Sequence, residues 1–377
     1  MFPFILLKVP PKMEPRCNWW LYIQAIFWRF LMRLGMFLHT FGLPHPPYPS
    51  FSRSISLTGG GCVVLYFYCP STYFKDASRD NTDRGENGDV TPKTDSRFPV
   101  VVNFHGGGFT LGRATDDARW AQCVVRDAGA VMVSVEYRLA PEHPFPAAVD
   151  DGVDTLLYLA AHAAELRLDV SRLALTGFSA GGNLAVTVPL RLRDRIRVDN
   201  HAQTVLASFG LQIICCVSWY PLLDFVVARE HRRAASVMPD KALPAFFTTL
   251  FDSSYLPDLS LRASPFASPG RAPDDMLAES LPPHIFLYTC EWDMLLNEGL
   301  HFVRRLEGLG KKVRSMMIEK VPHAWDKSPN PFRDQAKVDM LYRIACAEMR
   351  SLFEKRPQFA STTLPISTRR RRSGDNR

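Results

Sequence analysis

Leu173-Ala174-Leu175-Thr176-Gly177-Phe178-Ser179-Ala180-Gly181-Gly182-Asn183-Leu184-Ala185-Val186 is the stretch on which the fold turns. Leu173 to Thr176 reads as a buried strand, and the apolar run from Asn183 onward reads as a helix, predicted over Gly181 to Arg193. Between them G-x-S-x-G leaves no room for anything but a sharp elbow. A serine there is pushed out above the strand end, and the small residues around it prevent clashes with the neighbouring strand and helix. The amino terminus of the following helix favours negative charge developing at that point. The motif alone is short enough to arise by chance, so its setting has to carry the reading.

Outward from the elbow the chain alternates between apolar, β-branched runs and helical segments. Strands are predicted near Pro99–Phe104, Val131–Val135, Ile213–Trp219, Ile285–Thr289 and Val313–Ile318. Helices are predicted over Asp116–Asp127, Ala147–Glu165, Leu295–Leu309 and Asp334–Phe353. This alternation implies an α/β fold, a mostly parallel sheet with helices on both faces, in which functional residues gather at the carboxyl ends of strands. Ahead of it, Ser52–Leu57 and Cys62–Cys69, joined by Thr58-Gly59-Gly60-Gly61, form an antiparallel hairpin. Lys75–Arg97, rich in Asp, Asn, Thr and Gly, reads as an exposed loop.

The strand ending at Phe104 runs into His105-Gly106-Gly107-Gly108-Phe109. Consecutive glycines let the backbone turn and leave amide hydrogens free to meet a substrate oxygen, as an oxyanion requires. The bland alternative is a flexible strand-to-helix turn. A phosphate loop is disfavoured, because Thr110-Leu111-Gly112-Arg113 follows in place of Lys-Ser/Thr.

A serine nucleophile needs a base, and the chain order for such a fold is Ser, then Asp or Glu, then His. His284 precedes a strand and lies at the wrong edge, His301 falls in a predicted helix, and His231 sits in the charged loop EHRR. His323 follows the last strand on a loop able to fold back over the sheet, and is the predicted general base. For the orienting acid, IFLYTC ends in Glu291-Trp292-Asp293; Asp293 is preferred because it opens the following loop, with Glu291 second. Asp326 is third, being more in keeping with a solvated loop charge, and Asp224 has no later histidine suitably placed.

These motifs, with YRLAPEHPFPAAVDDG at 137–152, CEWDMLLNEG at 290–299 and VPHAW at 321–325, give the chain a close resemblance to the hormone-sensitive-lipase-like family of α/β-hydrolases, fungal members in particular. The resemblance runs from about Phe98 to Phe353. It implies an α/β-hydrolase fold and a carboxylic-ester hydrolase working through Ser179, Asp293 and His323 and an acyl-enzyme. It also implies an oxyanion hole from the amides of Gly106, Gly107 and Ala180, and a helical cap from the amino-terminal helix and the stretch after the sixth strand, about residues 225–275. Two departures stand out: Phe178 where many relatives have Asp, and Ala324 where they have Gly. Both alter the lining beside the nucleophile and leave the substrate open. The family also includes plant gibberellin receptors, which lack the histidine, so a non-catalytic binding protein remains an alternative, as does lactonase or amidase chemistry.

The 377 residues, 46% of them hydrophobic, suffice for a large core. The net charge of +7 owes much to Arg369–Arg372 and Arg377, in a tail (357–377) that reads as solvated and disordered, so nucleic-acid binding is not indicated. Eight cysteines show no metal-ligand spacing; neither a metal nor a cofactor is implied, and their apolar settings favour a reducing, intracellular compartment. Phe2–Leu7 is too short and proline-broken for a signal peptide, so secretion is not expected.

Residues 1–50 are read as a separate unit. Trp19–Leu43 is long enough to span a bilayer, but Arg29 and Arg33 would each cost roughly 2.5–3.5 kcal/mol near its centre. At 100° per residue Tyr22, Arg29, Arg33, Met36 and Thr40 share one stripe. That pattern suits a helix packed over the protein's own pocket or lying on a membrane surface better than a span. With the apolar segment Pro239–Leu256 it predicts a small-molecule ester with an apolar acyl or terpenoid-like group.

Overall fold

The computed structural model describes residues 19–43, 45–74, 97–330 and 333–355. The apolar stretch Phe2–Leu7, most of the predicted polar loop and the arginine-rich tail lie outside the described residues.

The amino-terminal stretch forms one helix, α1 (Trp19–Phe41), followed by the hairpin β1 (Phe51–Ser56) and β2 (Cys62–Tyr68). The remaining strands are β3 (Phe98–Phe104), β4 (Val131–Glu136), β5 (Leu168–Phe178), β6 (Ile213–Trp219), β7 (His284–Cys290) and β8 (Lys312–Ile318). Among the described residues they make an eight-stranded sheet in the order β1-β2-β4-β3-β5-β6-β7-β8, antiparallel at β1–β2 and β2–β4 and parallel elsewhere. The α/β reading and the opening hairpin match this topology.

Between the strands run α2 (Ala118–Cys123), α3 (Ala147–Ala161), α4 (Ala180–Val198), α5 (Asn200–Phe209), α6 (Arg229–Ala234), α7 (Ala245–Tyr255), α8 (Asp274–Ser280), α9 (Leu296–Gly308) and finally α10 (Gln335–Glu354). Successive strand residues point to opposite faces. Val100, Val102 and Phe104 therefore enter a core with α3 and α4, while Val101 enters a second core with Trp120, Tyr342 and Met349. Both faces being covered, the central strands carry near-continuous apolar runs.

Several boundaries differ from the sequence reading. The helix expected over Asp116–Asp127 begins as a 3-10 turn at Ala114 and closes with a π-turn through Ala128, where Gly129 adopts φ 65°. The charged EHRR segment, expected as a loop, is α6, because Arg232 is buried beside Glu298 at 3.1 Å and pulls the segment onto the body. In α4, Pro189 has no N–H to offer the carbonyl of Ala185. The buried thiol of Cys216 donates to that carbonyl at 3.2 Å, and burial pushes this thiol's pKa well up, keeping the donor protonated.

Candidate active site

The elbow closes through glycines that nothing larger could replace. A Cβ on Gly177 would sit 2.1 Å from the carbonyl oxygen of Gly181, and one on Gly181 would sit 1.9 Å from that of Phe104. Ser179 itself adopts φ 56°, ψ −112°, a conformation costing a non-glycine residue on the order of 1–3 kcal/mol. Its N–H donates to Trp219 at 2.9 Å, which ties the elbow to the end of β6.

Above the strand ends, three distant segments meet. His323 Nε2 lies 2.8 Å from Ser179 Oγ, and His323 Nδ1 lies 2.6 Å from Asp293 Oδ2. The other carboxylate oxygen of Asp293 accepts the N–H of Leu295 at 3.1 Å, so the acid is held on both sides. Asp293 and His323 are buried. In this line a neutral imidazole donates from Nδ1 to the carboxylate and accepts the serine hydroxyl at Nε2.

The other sequence candidates lie elsewhere. Glu291 accepts the N–H of Lys320 at 2.7 Å and so serves the turn after β8. His284 starts β7 at the opposite edge of the sheet, His301 is on α9, and His231 is on α6. Asp224 accepts Arg271 Nε at 2.8 Å. Asp326 corrects the expectation of a solvated charge: it is buried, accepting Tyr220 Oη at 2.5 Å and the hydroxyl of Tyr342. It pins the loop carrying His323, whose ring meets that of Tyr220 edge-on at 4.9 Å.

The glycine loop is built for close approach. Gly107 sits at φ 118°, where a Cβ would lie 2.2 Å from the Leu111 carbonyl oxygen. Among the turn and loop backbone bonds of the described residues, none is donated by the amides of Gly106, Gly107 or Ala180. The preceding His105 is buried and stacks on Tyr137 at 4.2 Å, whose hydroxyl donates to the His105 carbonyl at 2.8 Å. Burial lowers the His105 pKa and keeps the ring neutral.

Sequence reasoning missed a buried polar chain beneath the elbow. Thr176 Oγ1 donates to Asn103 Oδ1 at 2.9 Å, Asn103 Nδ2 to Asp117 Oδ2 at 2.8 Å, and Lys327 Nζ sits 2.8 Å from Asp117 Oδ1. Lys327 also lies 3.8 Å from the centre of the Phe178 ring, a cation–π contact strengthened by exclusion of water. Burial opposes the lysine charge, but Asp117 and Asp326 outweigh it and hold its pKa above the usual range. The apolar residue beside the nucleophile is thus matched by a cation. The one signal in the sequence was a lysine four residues after His323, which looks no different from a solvated loop charge.

A cavity of about 180 Å³ opens onto Ser179 and His323, walled by Met32, Met36, Leu243, Phe247 and Phe251. Trp28 of α1 stacks on Phe246 at 5.0 Å and meets Phe247 at 4.6 Å, so α1 and α7 close over this space together. Asp116 also faces the cavity, its pKa raised to about 7 by burial and then by Asp117.

Fold and motif together define an α/β-hydrolase, and comparison with known proteins agrees. A family model described as alpha/beta hydrolase fold matches residues 101–327. The chain belongs to this family, in the hormone-sensitive-lipase-like branch that its motifs resemble. It is 32% identical over 225 residues to carboxylesterase NlhH of Mycobacterium tuberculosis, covering 59% of this chain and 65% of that relative's length. An esterase of Gibberella moniliformis is 28% identical over 260 residues, covering 69% of this chain and 76% of the relative. The solved esterase of Pyrobaculum calidifontis superposes with a TM-score of 0.67 at 26% identity, over 87% of this chain and 93% of that one.

Proposed function

We propose that this protein is a serine hydrolase of carboxylic esters, acting through Ser179, His323 and Asp293. The observation that supports it most is the unbroken line from Asp293 Oδ2 through the imidazole to Ser179 Oγ, at 2.6 and 2.8 Å. His323 Nε2 takes the Ser179 proton as Oγ bonds to the ester carbonyl carbon, and Asp293 stabilises the imidazolium. The amides of Gly106, Gly107 and Ala180 hold the oxyanion. When it collapses, the C–O bond to the alcohol breaks and the leaving oxygen takes the proton from His323. A water then gives its proton to His323 and attacks the acyl-serine; Ser179 leaves as the hydroxyl and the acid is released.

The apolar walls of the cavity favour an ester with an apolar acyl group, and α1 with the segment of about residues 225–275 acts as the cap. The intact His323 speaks against the receptor-like alternative. Ser179→Ala should lower turnover of a p-nitrophenyl ester by about five or six orders of magnitude with an unchanged melting temperature. It should also abolish labelling by a fluorophosphonate. Turnover retained in this variant, or a wild-type protein that the probe never labels, removes the proposal.

A further inference from the structure

α1 is apolar on two faces, one packed on the protein and one turned to solvent. An ordinary surface helix turns its apolar stripe to the core and its polar stripe to water. Here Tyr22 and Arg29 of the polar stripe are turned to the protein, while Arg33 stays exposed. Arg29 makes a bidentate bond to Glu142 at 2.8 and 2.7 Å, and donates to the carbonyls of Thr110 and Ala140 at 2.8 Å each. On the same stripe Tyr22 Oη donates to the Pro141 carbonyl at 3.4 Å. The adjoining apolar stripe, with Leu34 and the rings of Trp19, Trp20, Phe27, Phe30, Phe37 and Phe41, is at least half exposed at these positions. At 100° per residue the exposed aromatic and aliphatic positions fall in one arc of about 120°, over a helix about 35 Å long, with no charged residue inside it.

A ridge of this kind needs an apolar environment. Six half-exposed aromatic rings alone leave on the order of 700 Å² of apolar surface, above the largest patches of about 300–600 Å² on monomeric proteins. Length and hydropathy would allow α1 to cross a membrane, but Arg29 cannot enter a bilayer core while it is clamped to Glu142 and two carbonyls. The edge of the stripe carries a charge suited to lipid headgroups: exposed Arg33 lies on the border of the arc, whereas Arg113 in the same cleft is paired with Glu136 at 3.7 Å. Trp19 and Trp20 sit together at one end, as tryptophans do at membrane–water boundaries.

We infer that α1 lies in the plane of an anionic lipid surface, apolar stripe down, and that the cavity it roofs receives its ester from that membrane. The second part rests on the ester-hydrolase reading; the first does not. Met32 and Met36 line the cavity from the underside of the same helix whose outer stripe meets the lipid. The path from bilayer to Ser179 is therefore one helix wide.

The test uses the full chain with vesicles of phosphatidylcholine, alone and mixed with phosphatidylserine. Wild type and Ser179→Ala should co-sediment equally, more strongly with the anionic mixture, and alkaline carbonate should release both. Phe30→Glu/Leu34→Glu should reduce partitioning about tenfold or more. It should cut turnover of a vesicle-dissolved long-chain ester in proportion and leave that of a water-soluble acetate ester unchanged. If the charged pair lowers the melting temperature, Phe30→Ser/Leu34→Ser replaces it. Absence of co-sedimentation, equal partitioning of the variant, or resistance to carbonate overturns the placement. So does a concentration-dependent dimer that the variant dissolves, which would assign the stripe to a second copy. Co-sedimentation together with full turnover by Ser179→Ala would sink the hydrolase reading and leave the membrane placement standing.

Discussion

The platform that carries Ser179 and the helix that roofs it are built on opposite terms. On the platform polar groups are buried and bonded in series, from Thr176 through Asn103 and Asp117 to Lys327, with Asp326 and Asp293 each held on two sides. Satisfied networks of this kind rigidify a site, because in a low dielectric each lost partner is costly. The roof rests on the Arg29 clamp, the Trp28 contacts and a carboxyl-terminal anchor. In that anchor Arg119 donates to the carbonyls of His39 and Gly42, and the ring of buried His39 bonds the Ser328 carbonyl at 3.1 Å. The platform is made to stay still. The roof exposes apolar surface that water does not favour, which suits an element whose surroundings change.

The largest break in this contrast should come on the platform. Asp293→Asn should lower ester turnover by about 10⁴ by removing the acceptor that sets the imidazole tautomer. Glu291→Gln, which touches only the Lys320 turn, should change it less than tenfold. Steady-state kinetics on both variants decide the matter, and the reverse order would reassign the acid. On the roof, Arg29→Ala should raise KM for long acyl esters several-fold while kcat for an acetate ester changes little. It should also cost about 2–4 kcal/mol of local stability, since Glu142 and two carbonyls lose their partner. An unchanged KM would show that α1 holds its place without the clamp.

Acid should loosen the roof. Burial lowers the His39 pKa to about 4 from an ordinary 6.5, despite the bond to Ser328. The unfolded chain therefore binds a proton that the folded one does not between those values. Stability is complete above about pH 6.5 and falls as pH drops toward 4, by up to about 3 kcal/mol. Melting temperatures across this range should show a loss that His39→Gln reduces; an identical pH profile in the variant would exclude His39 as the cause. The smallest effect is expected at Ala324, at φ 55° beside His323. Glycine is free of strain there, and Ala324→Gly should stabilise by about 0.5–1 kcal/mol once its greater unfolded-state freedom is counted. A lower denaturation midpoint would show that the methyl packs well enough to outweigh the strain.

How much of this was legible depended on range in sequence. The elbow, the HGGGF loop and the strand pattern are local: small residues are required where backbone passes within contact distance, and that requirement leaves its mark residue by residue. Asp293 could be preferred over Glu291 from its place after the strand, but the reason, the Glu291 bond to Lys320, belongs to packing. Asp326 looked like a surface charge because nothing nearby in the chain hints at Tyr220 and Tyr342. The Arg232–Glu298 pair was hidden in the same way, and so α6 was read as a loop.

The amino-acid order by itself determined the α/β architecture, the residues proposed for the chemistry and the stripe of α1, since periodicity and steric exclusion act over a few residues. Tertiary structure alone decided which way that stripe faces and how a lysine comes to lie over Phe178. Burial and charge pairing join residues far apart in sequence, and a side chain's exposure is settled only when its partner arrives.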